Sequence, residues 1–198
     1  MSQNYQLFYH FNHPTVKVYR DDPERGYNTY KIRLARNDMD GCMLTFWTKE
    51  DPVDGLTLIV DNLYSSDGHV LSTETFQLAY ISVRNRPLPD AMLPNDRPFS
   101  LSYNHSQSFY IRLTTVTDTP AGLYFGSFRL NKDDKILLTG QFSAQVWNFA
   151  LPSVPTCGTL FGLNRDYIRE KHHVSEEEAN TLYKKSILIV SCLKEILQ

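Results

Sequence analysis

The chain has 198 residues, a length that suits one domain of ordinary size or one domain with a short appendage. Its 20 Lys and Arg stand against 22 Asp and Glu, a net charge of -2, which excludes a broad basic field for nucleic acid. Aromatic residues make up 13% of the chain, a bias that favours strands. The three widely spaced cysteines predict reduced thiols and no cofactor.

The N-terminal segment combines aromatic side chains with two histidines. Tyr5 and Tyr9 are candidate glycan contacts, because an aromatic ring can stack on a sugar face, but packing at a sheet edge is the interpretation that so many neighbouring rings favour. His10 and His13 have no carboxylate or cysteine at matching spacing. We therefore predict a mobile terminal segment here and no metal site. Nothing at this end resembles a signal peptide and no apolar run is long enough to span a membrane, so the predicted location is cytoplasmic.

Short apolar runs bounded by turn residues predict an all-β region that closes into an antiparallel β-sandwich, immunoglobulin-like or jelly-roll-like. The alternation of buried and exposed positions is clearest in Tyr30–Leu34 and Phe109–Leu113. The predicted strands are Thr15–Tyr19, Tyr27–Arg36, Cys42–Trp47, Leu56–Val60, Thr75–Val83, Ser108–Val116, Leu123–Leu130, Lys135–Leu138 and Gly140–Phe149.

A proline-rich stretch, Arg84–Arg97, interrupts the series of strands. Proline lacks the N–H that a ladder needs and favours an extended path, so we predict a loop that crosses an edge of the sandwich. Recognition of the stretch by an aromatic groove is the alternative.

The pattern changes after Phe149. Leu151–Pro155 is an extended linker, and a helical period begins at Ser175, which forms a capping box with Glu178. The predicted division is therefore a β-sandwich over residues 1–152 and a linker with a C-terminal α-helix over 153–198.

Residues able to carry catalysis are few and poorly spaced. His172 and His173 are adjacent and would diverge on a helix, while the acidic runs sit at turns and at the helix start, where carboxylates are normally solvated. We predict no catalytic residue and no metal ligand.

Several segments match a known family once they are placed on these elements. Thr119–Phe128 looks like a "PAGxYxGxxxV" strand pair and Val146–Pro152 is similar to a "VWDFxLP" exit from a sandwich. Leu160–Leu163 is similar to an "FGL" segment, Ala35–Asp38 to "ARNE" and Pro89–Pro94 to a "PDPLLP" loop. Together they resemble the N-terminal β-sandwich of bacterial glycoside-hydrolase-like proteins that contain a domain of unknown function, related to β-N-acetylgalactosaminidases acting on glycosphingolipid glycans.

The matching positions are scaffold positions. The glycines permit tight turns and close strand approach, and Trp147 is predicted to be a buried anchor that caps the core. The residues that carry the resemblance are Arg36, Asn37, Pro120, Gly122, Tyr124, Gly126, Trp147, Phe149, Pro152, Phe161 and Gly162.

The resemblance implies a (β/α)₈ barrel after the sandwich, with an Asp-Glu pair that has no counterpart in this chain. Far fewer residues follow Phe161 than the roughly 250 such a barrel takes, so the expectation is a truncated product that keeps a helical remnant. The leading hypothesis is a non-catalytic sandwich module, structural or weakly glycan-binding. The alternatives are one subunit of a split hydrolase of N-acetylhexosaminides, joined to a separate barrel or to itself through the C-terminal helix, and an independent carbohydrate-binding or adhesion sandwich.

Overall fold

Strands dominate the part of the chain that the structure, a computed structural model, describes: residues 5–21, 23, 25–83, 86–153 and 164–185. The chain divides into two units, Met1–Ala150 and Leu151–Gln198. The first contains β1 Leu7–Asn12, β2 Lys31–Arg36, β3 Met39–Thr48, β4 Val53–Val60, β5 Leu63–Ser65, β6 Val70–Leu71, β7 Thr73–Val83, β8 Arg86–Pro94, β9 Phe99–Leu101, β10 Gln107–Thr114, β11 Gly122–Lys132 and β12 Lys135–Ala150.

The strands form two sheets, and their buried faces meet in one core, which confirms the predicted β-sandwich. The smaller sheet has the order β1-β3-β10-β7-β8, and the larger has β2-β12-β11-β4-β9 with β5 and β6 alongside β11. Neighbours are antiparallel except β2 and β12, which run parallel. This one pair is parallel because β2 continues through a turn into β3 of the other sheet instead of forming a hairpin with its neighbour.

Aromatic rings fill the space between the sheets. Phe128 of the larger sheet lies edge-on to Tyr9, Phe11 and Phe46 of the smaller sheet, at centroid distances of 5.0, 5.8 and 5.6 Å. Phe99 and Phe109 pair across the sheets in the same way at 4.9 Å. Edge-to-face packing of this kind stabilises aromatic pairs beyond the area that they bury.

Part of the outer face of the smaller sheet is covered by residues 13–21, 23 and 25–26, which we call the N-terminal strap. Val18 packs against Met43 and Leu78 on the face opposite the main core. The Ser106 amide donates to the Arg20 carbonyl at 2.8 Å, and the Asn12 side-chain amide donates to the Arg25 carbonyl at 2.7 Å. The predicted strand Thr15–Tyr19 is wrong, because this segment attaches through side chains and isolated hydrogen bonds and has no ladder.

The aromatic N-terminal segment is strand β1, paired with β3 from Leu7 to Asn12. The prediction of a mobile terminal segment is wrong for these residues: the strap buries the outward-facing His10 and Asn12 while the core covers Phe11, and only Phe8 of the strand is exposed. His10 is buried, its Nε2–H donates to the Pro23 carbonyl, and the Asn12 amide donates to Nδ1 at 3.1 Å.

The proline-rich stretch is not a loop, since Arg86–Pro94 forms strand β8 against β7. It lies at the edge of the smaller sheet, where one side of the strand needs no ladder donors, so its prolines are tolerated. Residues 84 and 85 of the predicted loop lie outside the described residues.

Within its described residues, 151–153 and 164–185, the second unit contains two helices. Its helix α1, Arg165–His172, was not predicted; the Asn164 side chain caps it by accepting from the Asp166 amide at 2.8 Å. Helix α2 covers 176–185, and its predicted capping box is confirmed: the Ser175 amide donates to Glu178 Oε2 at 3.0 Å and the Glu178 amide to Ser175 Oγ at 3.3 Å. The part of the predicted C-terminal helix from residue 186 onward lies outside the described residues. Neither described helix has the length and apolarity needed to cross a bilayer.

We expect Phe128→Ala to lower the free energy of unfolding by about 3–5 kcal/mol, because the ring is fully buried and its loss leaves a cavity between the sheets. Urea unfolding measures this. Phe125→Ala on the same strand is the control and should change stability by less than about 0.5 kcal/mol, since Phe125 is exposed. Equal losses in the two variants would contradict the assignment of faces.

Burial lowers the pKa of His10 below its ordinary value of 6.5. The folded protein therefore holds a neutral ring while the unfolded chain takes up a proton, so stability should be full above pH 6.5 and fall as the pH decreases from there toward the lowered pKa. Urea midpoints measured from pH 8 to pH 5 check this, with His10→Gln as the variant that lacks the titration. Parallel curves for the two proteins would refute it.

Candidate functional site

A shallow groove of about 800 Å³ runs along the outer face of the larger sheet, away from the core. Two exposed aromatic side chains and several polar ones are among its lining residues: Asp61, Asn62, Tyr64, Phe125, Ser127 and Gln141. We call it the Tyr64–Phe125 groove.

Strand alternation places the two rings in the groove. On β11, Tyr124 and Phe128 face the core, so Phe125 and Ser127 face outward. Phe125 lies directly opposite Tyr64 in the register of β11 and β5. The two residues are 60% and 53% exposed, so adjacent rings on this face are open to solvent.

Gly126 brings β5 close enough for this pairing. A Cβ atom at Gly126 would lie 2.8 Å from Leu63 Cγ, so only glycine leaves room for the buried Leu63. Gly126 was predicted as a position of close strand approach, and this contact gives that prediction a physical basis. The approach sets Tyr64 beside Phe125.

Asp61 is held in a fixed orientation at the polar side of the groove. Its Oδ2 accepts from Ser127 Oγ at 2.6 Å, and its Oδ1 accepts from Arg129 Nη2 at 2.8 Å. The guanidinium neutralises the carboxylate, while the carboxylate keeps acceptor capacity, since it can take about four hydrogen bonds.

Two exposed amides complete the polar side. Asn62 Oδ1 accepts from the Thr73 amide at 3.1 Å, an arrangement that leaves the side-chain NH₂ group to donate. Gln141 lies opposite Ser127 in the register of β11 and β12. Carboxylate, amide and hydroxyl groups beside exposed rings can bind a ligand that is apolar on one face and rich in hydroxyls at its rim.

The predicted motif residues around Arg36 converge elsewhere, at a corner where the chain passes between sheets. Asn37 adopts a left-handed conformation with φ of 55°, and Asp38 Oδ2 accepts from the Ala35 amide at 3.0 Å. Thr115 Oγ1 donates to the Ala35 carbonyl at 2.7 Å. This short turn carries β2 of one sheet into β3 of the other.

Pro120, Gly122 and Tyr124 form the next part of this corner. The Tyr124 hydroxyl donates to the Pro120 carbonyl at 2.7 Å, and Gly122 has a φ of 150° that suits glycine. Burial raises the pKa of Tyr124, and nearby Arg36 opposes that rise. Arg36 also donates to Asn148 Oδ1 at 2.9 Å. These contacts are structural, and the scaffold role of the motif residues as a set stays a prediction.

Trp147 is not the buried anchor that the sequence predicted, because it is 45% exposed. Its neighbour Val146 faces the core, so alternation turns Trp147 to the outside. Phe149 and Pro152 are exposed too, whereas Phe161 and Gly162 lie outside the described residues.

The predicted glycan contacts Tyr5 and Tyr9 are partly buried against the core. The Tyr9 hydroxyl donates to the Asn28 carbonyl at 3.3 Å while its ring contacts Phe128. Glycan binding by these residues stays a prediction. Within the described parts of the chain, no three His, Cys, Asp or Glu side chains are grouped to hold a metal ion.

The fold is similar to part of a family 123 glycoside hydrolase from Clostridium perfringens, studied for glycolipid glycan hydrolysis, with a TM-score of 0.61 and 20% identity over 74% of this chain. This chain spans only 28% of the length of that hydrolase chain. The identity is low enough that the likeness shows the fold alone.

Two other solved structures are more distant. MyfA, the major subunit of Myf fimbriae from Yersinia enterocolitica, in complex with galactose, has a TM-score of 0.36 at 12% identity over 70% of this chain and 95% of its own. The seventh ScaB type I cohesin from Pseudobacteroides cellulosolvens has a TM-score of 0.25 at 14% identity over 67% and 96%. No family model matches the chain, and no curated protein matches it.

The groove residues escaped sequence reasoning, which singled out Gly126 but neither ring. The signal that could have identified Phe125 is its position on β11. It is an odd number of residues from the core-facing Tyr124 and Phe128, so its side chain points to the opposite, solvent-exposed face.

We expect Tyr124→Phe to lower the free energy of unfolding by about 0.5–1.5 kcal/mol, because it leaves the Pro120 carbonyl without its hydroxyl donor in a buried corner. Chemical denaturation measures the change. Tyr64→Phe removes a hydroxyl from an exposed ring and serves as the control, with an expected change below about 0.5 kcal/mol. A loss no larger than the control's would show that the corner does not depend on this bond.

Proposed function

We propose that this chain is the β-sandwich module of a glycoside-hydrolase-like protein, and that the module contributes packing and glycan contact without performing catalysis. The observation that carries the proposal is the match of the sandwich fold to part of the family 123 hydrolase, over 74% of this chain and 28% of the hydrolase chain. The motif resemblance in Ala35–Asp38, Thr119–Phe128 and Val146–Pro152 points to the same family.

The chemistry of the Tyr64–Phe125 groove supports the non-catalytic part of the proposal. Asp61 is the one carboxylate among the lining residues that the structure describes, and both of its oxygens accept hydrogen bonds. Glycoside hydrolysis by paired carboxyl groups needs two of them about 5–9.5 Å apart across the sugar.

The predicted cytoplasmic location belongs to this proposal as well.

A second candidate is a subunit of a split hydrolase. The observation that favours it is the exposure of two large apolar side chains near the end of β12, Trp147 at 45% and Phe149 at 57%, since exposed aromatics of this kind often mark an interface.

Incubation of the purified chain with fluorogenic N-acetyl-β-hexosaminides tests the two candidates. The module should release no more fluorophore than a heat-denatured sample, whether the chain is alone or taken from its native source. Hydrolysis by the chain alone would overturn the proposal. Activity that appears only with a co-purifying polypeptide, and that Trp147→Ser abolishes without lowering the unfolding midpoint, would favour the split hydrolase.

A further inference from the structure

We propose that the Tyr64–Phe125 groove binds a neutral pyranose unit of a glycan. This inference rests on the proposed function, because it names the ligand class and the site through which the module contacts glycan. It places the contact on the larger sheet, remote in sequence from Tyr5 and Tyr9.

The two rings supply the apolar half of such a site. A pyranose presents a face of C–H groups, and that face packs on an aromatic ring while the hydroxyls at its edge stay available for hydrogen bonds. Phe125 and Tyr64 lie side by side with more than half of each residue exposed. The groove volume of about 800 Å³ falls within the range of small-molecule sites and accommodates a sugar unit with part of its neighbour.

The polar residues supply the other half. A sugar hydroxyl both donates and accepts, so it needs partners of both kinds. Asp61 accepts, the NH₂ group of Asn62 donates, and the amide of Gln141 does both. The Ser127 and Arg129 hydrogen bonds fix the Asp61 carboxylate before a ligand arrives, which lowers the ordering cost of binding.

Charge decides which sugars fit. The guanidinium of Arg129 compensates the carboxylate of Asp61 at 2.8 Å, so the pair brings no net charge to the groove. An anionic sugar would meet the Asp61 oxygens and find the nearest guanidinium already engaged. A neutral hexose or N-acetylhexosamine meets no such repulsion.

Titration of the full chain by isothermal calorimetry and ligand-detected NMR tests the proposal. The probes are methyl β-glycosides of glucose, galactose and their 2-acetamido counterparts, with methyl β-glucuronide as the anionic comparison. We expect at least one neutral glycoside to bind, and the glucuronide to bind at least about tenfold more weakly.

Variants locate the binding. Phe125→Leu keeps an apolar side chain but removes the ring, and should weaken binding by about fivefold or more, whereas Phe125→Trp should retain it. Gln141→Ala should also weaken binding. Tyr103→Leu is the matched control, because Tyr103 is 60% exposed like Phe125 but lies outside the groove. All three of these side chains are exposed, so the unfolding midpoints of the four variants should stay near the wild-type value.

The outcomes separate the two proposals. If the wild-type chain binds a neutral glycoside and Phe125→Leu binds it equally well, the groove assignment fails while glycan contact by the module stands. If no glycoside binds, both the groove and the glycan contact fail, and the hydrolysis assay alone decides the role as a module. Preferential binding of the glucuronide overturns the ligand class. The glycan assignment of the groove is also overturned if the wild-type chain binds no sugar but binds a protein that Phe125→Leu no longer binds.

Discussion

The sandwich depends on one aromatic contact between its sheets. Phe128 lies edge-on to Tyr9, Phe11 and Phe46 of the opposite sheet, within 5.0–5.8 Å. Its partner in the neighbouring strand is Gly140, and any Cβ there would collide with the Phe128 ring. Because Gly140 has no side chain, the Phe128 ring can lie flat over the Gly140 backbone and reach the other sheet. The contact therefore joins β11, which is late in the sequence of the sandwich, to β1, which is its first strand.

The same contact fixes what the larger sheet presents to solvent. Side chains alternate along a strand, so a core position for Phe128 sends Ser127 and Phe125 to the outside; a slip of one residue would reverse every face. The register also aligns Phe125 with Tyr64 and Ser127 with Gln141. The groove is thus a consequence of core packing, and it needs no loop to build it. A surface built on the strands of a sheet holds its side chains in fixed positions.

Much of the fold could be predicted from the sequence, because alternation and turn residues mark strands wherever one face is wet. The predictions were wrong where a strand is covered by a further segment of the chain or lies at the edge of a sheet, because alternation and turn residues do not mark such strands. In strand β1 the outward-facing His10 and Asn12 are buried beneath the N-terminal strap, so the alternation of wet and buried positions is lost there. Strand β8 carries prolines that only an edge position permits. Neither the strap nor the edge can be known before the sheet order is known, and sheet order arises from contacts between residues distant in the chain.

The candidate site was harder to predict for a related reason. Tyr64 and Phe125 are 61 positions apart in the sequence, and nothing local to either residue indicates the other. Gly126 was singled out as a place of close approach, but what approaches, Leu63, is known only from the pairing of β5 with β11. The prediction that Trp147 is buried was wrong for the same reason. Trp147 does lie on a strand, but the neighbouring Val146 faces the core, so alternation turns Trp147 to solvent. An aromatic-rich composition therefore favours strands, while the rings that face solvent, such as Phe125 and Tyr64, are identified only by strand register.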